Sequence, residues 1–509
     1  MSKRKRIILP ALVAGLATVL MVGCGSGTSM VKPAATTGPS GSLVVFGTDQ
    51  PTCDVESFSV TISSAALVTT GGLTVTITPP SQPVDFASLV DFTTILSLGS
   101  VTADTYNQLQ LTLTNPQLAV LNTTSSPPSA QPVTTTFSNG TAMDTLTVSI
   151  SPALTITANA TAGLVVDFNL RQSVLTGSNG LVTGVVDPRF TVTPSVASGT
   201  ELGEADTLYG VVPSAPTTTS SNPSFIGSFP LQMQGGVGQI LTVQVTSDTD
   251  FEGDGLTGLS GLTALAALTA QTFVEVDAIV DTSGNIIAQE VDVEEQVVTT
   301  GQRAGFLGEI IGVTRDNSGN ATGFNLLVGH ETWDMTSEVP LQSSLAVTLQ
   351  DTTRYWPNWR HWNRRALQFG PQTLGPAEKV TVFGVLQAGS PGPPATAPSL
   401  TAGFIFLRQR NVLGTFTELL AAGSDDKTGG FTLMPCGPLF PPQAITVLTF
   451  GDTRFRGVAG LNELTAGPIL NTSGLLFYEQ TNGPPNQPTW TAPPPTWVMQ
   501  AEAVHQLPQ

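Results

Sequence analysis

The chain predicts an all-β protein, an N-terminal β-sandwich followed by three tandem small OB-like β-barrels. Three observations carry that expectation. Charged residues are only 11% of the 509 positions, while Gly numbers 51 and Pro 38, so Val- and Thr-rich runs are punctuated by frequent turn formers. Several runs alternate polar and apolar side chains, as half-buried strands do. One motif returns at intervals of about 100 residues, a domain-sized period rather than a solenoid one. A chain of 509 residues also exceeds one ordinary core, so several domains are expected.

The N-terminus sets the compartment. Lys3, Arg4, Lys5 and Arg6 precede an apolar stretch from Ile7 to Val22, which ends in Leu20-Met21-Val22-Gly23-Cys24. This is the layout of a bacterial lipoprotein signal peptide. The basic residues stay cytoplasmic, the apolar stretch enters the membrane, and small Gly23 admits a peptidase to the bond before Cys24. Met21 stands where Leu is usual. Residues 1–23 are therefore expected to be removed, and Cys24 to carry the acyl chains that anchor the product to a membrane. An uncleaved anchor would also leave the rest of the chain outside the cytoplasm. Gly25 is not the Asp that marks inner-membrane retention, so the expected destination is the outer membrane of the cell envelope. Residues 24–40 are rich in Gly, Ser, Thr, Pro and Ala and read as a flexible tether.

The formal charge is −18, and loss of the four basic residues takes it to about −22. So acidic a body is not drawn to nucleic acid or anionic lipid by bulk electrostatics. Its membrane contact is expected to be the lipid on Cys24. Of the remaining cysteines, Cys53 and Cys436 lie at opposite ends of the mature chain in different expected domains. The compartment permits a disulfide, but the expected state is two unpaired thiols.

Residues 41–198 read as the β-sandwich. Ser57-Phe58-Ser59-Val60-Thr61-Ile62, Gln108-Leu109-Gln110-Leu111-Thr112-Leu113 and Thr145-Leu146-Thr147-Val148-Ser149-Ile150 alternate as strands, and Gly71-Gly72 marks a hairpin. Leu89, Phe92, Ile95 and Leu96 fall at helical spacing and predict a short helix over Ala87–Leu98. In order along this stretch stand Thr48-Asp49-Gln50-Pro51-Thr52-Cys53-Asp54-Val55, Phe58-Ser59-Val60-Thr61-Ile62, Val84-Asp85-Phe86, Leu96-Ser97-Leu98-Gly99, Thr105-Tyr106, Leu164-Val165-Val166-Asp167-Phe168 and Ser173-Val174. These blocks resemble an uncharacterised domain of bacterial lipoproteins, a domain of unknown function. The resemblance implies an exported β module and brings no catalytic residues with it.

Three units follow, at 206–299, 301–410 and 411–509. Asp248-Thr249-Asp250-Phe251 recurs as Asp351-Thr352-Thr353-Arg354-Tyr355 and as Asp452-Thr453-Arg454-Phe455. A strand-like run precedes each copy, and Gly210, Gly308 and Gly414 interrupt an earlier apolar run. A helix candidate, clearest at Leu256–Leu268, follows the motif, and two strands come after it. Three strands, a helix and two strands make a small Greek-key barrel of OB type. The units also resemble a second lipoprotein-associated family of unknown function that occurs in tandem. The Asp-Thr motif is expected to fix a turn through side-chain bonds to backbone, with the aromatic closing the barrel end. Leu256–Leu268 lacks basic residues and is too short to span a membrane, so it is expected to pack on its own barrel.

Few residues point to chemistry. The three histidines, His330, His361 and His505, stand in no metal-spaced pair, and no serine occupies a nucleophile-elbow context. Asp250-Phe251-Glu252-Gly253-Asp254-Gly255 alternates acids before a glycine, but Gly261 stands where an EF-hand needs its bidentate Glu. No metal, cofactor or enzymatic activity is expected. The sharpest local feature is residues 354–365, which hold three of six Trp and four Arg in an acidic, aromatic-poor chain. Trp offers flat faces to sugar rings, and Arg forks onto carboxylate or phosphate. Trp356, Trp359, Arg360, Trp362, Arg364 and Arg365 are thus the candidate contact set for a polysaccharide or another envelope polymer. The alternative for the cluster is internal packing against a barrel end or a neighbouring unit. The expected role is non-enzymatic binding or scaffolding in the envelope. Its rivals are a purely structural surface lipoprotein that contacts envelope proteins, and a hydrolase with dispersed carboxylates.

Overall fold

Alternating side chains in the first module fill two cores at once. In the strand Ser40–Asp49, Leu43 and Val45 enter the module's own core, while Val44 and Phe46 enter the core of the following barrel. The computed structural model describes residues 38–49, 52–53, 55–80, 83–89, 92–122, 129–178, 181–233, 240–253, 255–256, 258–295, 303–331, 339–340, 343–357, 367–389, 397–437, 439–440, 443–478 and 497–507. The signal segment, Cys24 and all but the end of the tether lie outside them. The chain is nearly all β, and residues from Pro39 onward form one unit.

The first module is sandwich-like. Thr74–Ile77, Ser57–Thr69, Thr105–Asn122 and Met143–Thr155 pair side by side, as do Phe190–Pro194, Thr161–Phe168, Ser40–Asp49 and Thr94–Thr102. A single bridge, Val192 opposite Ile150, joins the two halves, which close over one core. Phe58 stacks on Phe168 at 5.3 Å within it. Residues 70–73 make the tight connection between the paired strands Ser57–Thr69 and Thr74–Ile77, the hairpin that Gly71-Gly72 predicts.

The helix expected over Ala87–Leu98 does not form. A 3-10 turn covers Phe86–Leu89, and Thr94–Thr102 is a strand. The reason is burial on both faces. Leu96 faces the module's own core and Ile95 faces the next barrel, so neighbouring apolar residues of a two-sided strand imitate helical spacing.

The three barrels share one topology. In the first, Glu201–Val212, Gly227–Met233 and Ile240–Val245 form an antiparallel meander. The helix Gly261–Ala267 follows, and then Thr272–Asp281 pairs antiparallel with Ile286–Glu295. The fifth strand runs parallel to the third, Val243 opposite Ile286, and the fourth pairs with the first, Gly210 opposite Val274. The ring is closed in the OB order. The second barrel repeats this with Arg303–Arg315, Ala321–Glu331, Ser344–Thr348, Lys379–Gln387 and the first part of Ser399–Ala422. The remainder of Ser399–Ala422 opens the third barrel, which continues through Gly429–Pro435, Ile445–Thr449, Ile469–Tyr478 and Trp497–Gln506. One continuous strand thus serves two barrels.

The repeated residues have repeated work. A Cβ at Gly210, Gly308 or Gly414 would lie 2.4, 2.0 or 2.4 Å from the carbonyl oxygen of Gln232, Leu327 or Met434 on the adjoining strand. Only glycine allows that approach of first strand to second. The motif threonines tie the third strand to the fifth. Thr249, Thr353 and Thr453 donate through Oγ1 to the carbonyls of Ala288, Ala402 and Ala501 at 2.8, 2.8 and 2.9 Å. Each also accepts from the backbone N–H three residues earlier, on Thr246, Gln350 and Phe450. Pairing between fourth and fifth strands slips by one residue just after each of these alanines. The bulge takes the carbonyl out of the ladder, and the threonine hydroxyl satisfies it. In the second unit the equivalent residue is Thr353, so Asp351 stands one place ahead of its counterparts Asp248 and Asp452. Phe251, Tyr355 and Phe455 pack into or against their barrels' cores.

Candidate functional site

Cys53 precedes the strand Ser57–Thr69, and Cys436 follows Gly429–Pro435. The two form a disulfide, with Cα atoms 5.4 Å apart across a sequence separation of 383. The expectation of unpaired thiols is corrected. The first module folds back onto the second and third barrels, so distance along the chain says nothing about distance in space. The Cys436 N–H donates to the Leu413 carbonyl at 2.8 Å, which fixes this end of the bridge to the strand shared by two barrels.

Beside the disulfide lies a cavity of about 150 Å³ between the first module and the two barrels. Its wall carries five ionisable groups in a chain that has few: Glu56 and Asp85 from the first module, Glu309 and Lys379 from the second barrel, and Arg410 from the third. Asp85 is spoken for. It accepts from the Ser57 hydroxyl at 2.6 Å and the Phe58 N–H at 2.9 Å. The Arg410 guanidinium lies 3.4 Å from Glu309 Oε2, sits over the Phe440 ring at 5.0 Å, and donates to the Ala377 carbonyl. Glu309 Oε2 is buried and accepts no hydrogen bond among the described residues.

Burial shifts two of these groups, Glu56 and Lys379. Burial, with the Glu309 charge adding to it, pushes the Glu56 carboxyl up to about 8 against the pull of Arg410, so it is mostly protonated at neutral pH. Burial lowers the Lys379 ammonium, while Glu309 pulls it back up. The Lys379 Nζ lies 5.7 Å from the centre of the Phe92 ring.

A second charged cluster lies in the seam between the first two barrels. Arg408 is fully buried, donates through Nε to the Thr381 hydroxyl at 2.9 Å, and pairs with Glu275. Asp292 stands opposite Glu275, Glu290 opposite Asp277, and Asp250 and Glu252 flank them on a short parallel strand. Burial and the neighbouring carboxylates push Glu290 up to about 9. Burial pushes Asp292 to about 7, with Arg408 opposing. Tyr209, Phe273, Phe383, Phe404 and Phe406 complete the seam, with Phe273 and Phe383 centred 6.1 Å apart.

The sequence-derived contact set is divided. Trp356 belongs to the strand Arg354–Pro357, opposite Phe406, and is half-buried against this aromatic seam. Trp359, Arg360, Trp362, Arg364 and Arg365 lie outside the described residues, as does His361. Among the described residues no group of three or more His, Cys, Asp or Glu side chains is placed to hold a metal ion. Sequence reasoning missed both charged clusters. The one available signal was the charges set inside otherwise apolar runs, as in Phe273-Val274-Glu275-Val276 and Phe406-Leu407-Arg408-Gln409-Arg410.

Residues 40–183, most of the first module, match the model of a family described as a domain of unknown function, DUF4382. A search of curated proteins finds no match. A solved structure described as drosophila Unr CSD456 aligns over 60% of this chain and 98% of its own, at 11% identity and a TM-score of 0.14. Likeness that slight carries no argument.

Proposed function

We propose that this chain is a lipid-anchored protein of the bacterial cell envelope, held in the outer membrane through Cys24, with a non-enzymatic binding or scaffold role toward a polysaccharide or another envelope polymer. The observation that carries the compartment is the Cys53–Cys436 disulfide, because such bonds persist in oxidising surroundings and are rare in the cytosol. It agrees with the lipoprotein signal read at residues 1–24. The scaffold role draws on the way four β modules are tied together by a disulfide, a shared strand and two charged seams.

Polymer contact is assigned to Trp356 and to the Trp and Arg residues that follow it in sequence. Trp356 remains partly exposed at the seam edge. Nucleic acid is the poorer partner. The outward positions on strands two and three of the first barrel are Ser228, Pro230, Gln232, Ile240, Thr242 and Gln244, with neither base nor aromatic ring among them. Hydrolysis is also the poorer reading. Glu56 and Glu309 make a carboxyl pair, but the Glu309 Oε2 is buried beside Arg410 rather than presented to a substrate. The anchor is tested by labelling cells that express the full chain with radioactive palmitate and separating their membranes. The proposal expects label and membrane retention in the parent chain and loss of both in Cys24→Ala. An unlabelled, soluble parent chain would contradict it.

A further inference from the structure

We infer, resting on the polymer reading proposed above, that the polymer is an acidic polysaccharide and that the second barrel holds one of its carboxylated sugar residues. The repeats supply the reason. Two equivalent positions face each other in the second and third barrels: the residue after the motif threonine, and the bulged residue after the alanine that this threonine bonds. In the third barrel they are Arg454 and Glu502, and the guanidinium holds the carboxylate at 3.1 Å. In the second barrel they are Arg354 and Gly403. The arginine is kept and the glutamate is not. An open cleft of about 370 Å³ lies there instead, lined by both Arg354 and Gly403. A Cβ on Gly403 would meet nothing nearer than the Phe383 carbonyl oxygen at 3.8 Å, so packing does not demand glycine at this position. A ligand carboxylate beside Arg354 would take the place that Glu502 fills in the third barrel.

The rest of the cleft suits a sugar. Arg354 is exposed, and its guanidinium lies over the Phe404 ring, 4.9 Å from the ring centre, which positions the group. A guanidinium so placed can fork onto a carboxylate through its N–H edge. Gln350, Gln387 and Thr401 line the same cleft with amides and a hydroxyl, groups that bond sugar hydroxyls. In a chain with 37 acidic and 19 basic residues, no Asp or Glu lines this cleft among the described residues, and Arg354 is its one charge. Arg354 also precedes Trp356 by two residues on one face of the strand Arg354–Pro357, where they stand opposite Phe404 and Phe406. The cleft therefore adjoins the tryptophan already assigned to the polymer. Physiological salt screens exposed charges more than ~8 Å apart, so the chain's overall negative charge does little against a contact at Arg354.

The test is calorimetric titration of the detergent-solubilised full chain with hexamers of galacturonic, glucuronic, mannuronic and guluronic acid, each beside its methyl ester, and with hexamers of glucose. The ester keeps the ring and loses the charge. At least one acid is expected to bind about tenfold or more tighter than its ester. Arg354→Gln is expected to lose that preference while keeping the parent's melting temperature. Gly403→Glu is expected to lose it too, because its carboxylate would pair with Arg354 as Glu502 pairs with Arg454. Acid and ester bound alike, a preference that survives Arg354→Gln, or binding of glucose hexamers alone overturns the inference and leaves polymer binding standing. If no oligomer binds, the inference falls, and binding of other polysaccharides decides the polymer reading separately.

Discussion

Cys53 and Cys436, 383 residues apart in sequence, are joined by a disulfide that closes the first module onto the third barrel. A cross-link of this span removes a large share of the unfolded chain's freedom. Cys53→Ser with Cys436→Ser is expected to cost about 2–5 kcal/mol, read from denaturant midpoints. Thiol titration of the unreduced protein is expected to find Cys53 and Cys436 unreactive. Two reactive thiols in oxidised, folded protein would contradict the clamp.

The threonine ties are expected to count in each barrel. Thr353→Val keeps the shape but strips the Ala402 carbonyl of its donor. The expected cost is about 1–3 kcal/mol. Thr249→Val and Thr453→Val should behave alike, because each leaves one buried carbonyl at a bulge unmet. A change at Asp351, which is exposed and out of register, is expected to fall within about 0.5 kcal/mol of the parent. Equal effects at Asp351 and Thr353 would remove the distinction.

Gly308→Ala sets a methyl group 2.0 Å from the Leu327 carbonyl. Backbone must move, so a loss of at least ~2 kcal/mol is expected, measured by thermal and denaturant unfolding. Gly319, with open space around its Cβ direction, is the comparison, although its φ of +85° makes alanine somewhat strained there.

How much of this was legible follows from how local each signal is. The barrels were, because Gly210, Gly308 and Gly414 and the Asp-Thr motif act within neighbouring strands and recur with the period of the fold. The strand at Thr94–Thr102 was not, because burial of Ile95 in one core and Leu96 in another erases the alternation that identifies a strand. The disulfide and the cavity were not, because Cys53, Glu56, Lys379 and Arg410 meet only after the first module folds back over some 300 residues. Trp356 stands out in a chain poor in aromatic residues, yet it packs partly against the seam.

The seam between the first two barrels should respond to pH. Glu290 and Asp292 are raised in the folded chain to about 9 and about 7, both above their unfolded values near 4 to 4.5. Between those limits the folded state binds more protons than the unfolded state. Stability therefore falls as pH rises, most steeply from about 5 to 9, and is greatest in mild acid as far as these groups are concerned. Melting temperatures at pH 6 and pH 9 are expected to differ in that order, with Glu290→Gln flattening the slope. A midpoint that rises with pH would contradict the assigned direction.

Arg408 holds the same seam. Arg408→Met leaves Glu275 buried beside Asp292 without its cation, at an expected cost of about 3–5 kcal/mol. Adding Glu275→Gln is expected to recover much of that loss, and a double variant no better than the single would show that packing rather than charge sets the cost.

Polymer binding by an envelope lipoprotein is measured directly by binding of the detergent-solubilised full chain to an array of bacterial and plant polysaccharides. The array is run beside Trp356→Ala, Trp359→Ala and Trp362→Ala combined. The expected result is binding to at least one polysaccharide, lost in a variant that keeps the parent's melting temperature. No polysaccharide bound by the parent, or binding that survives removal of all three rings, would contradict it.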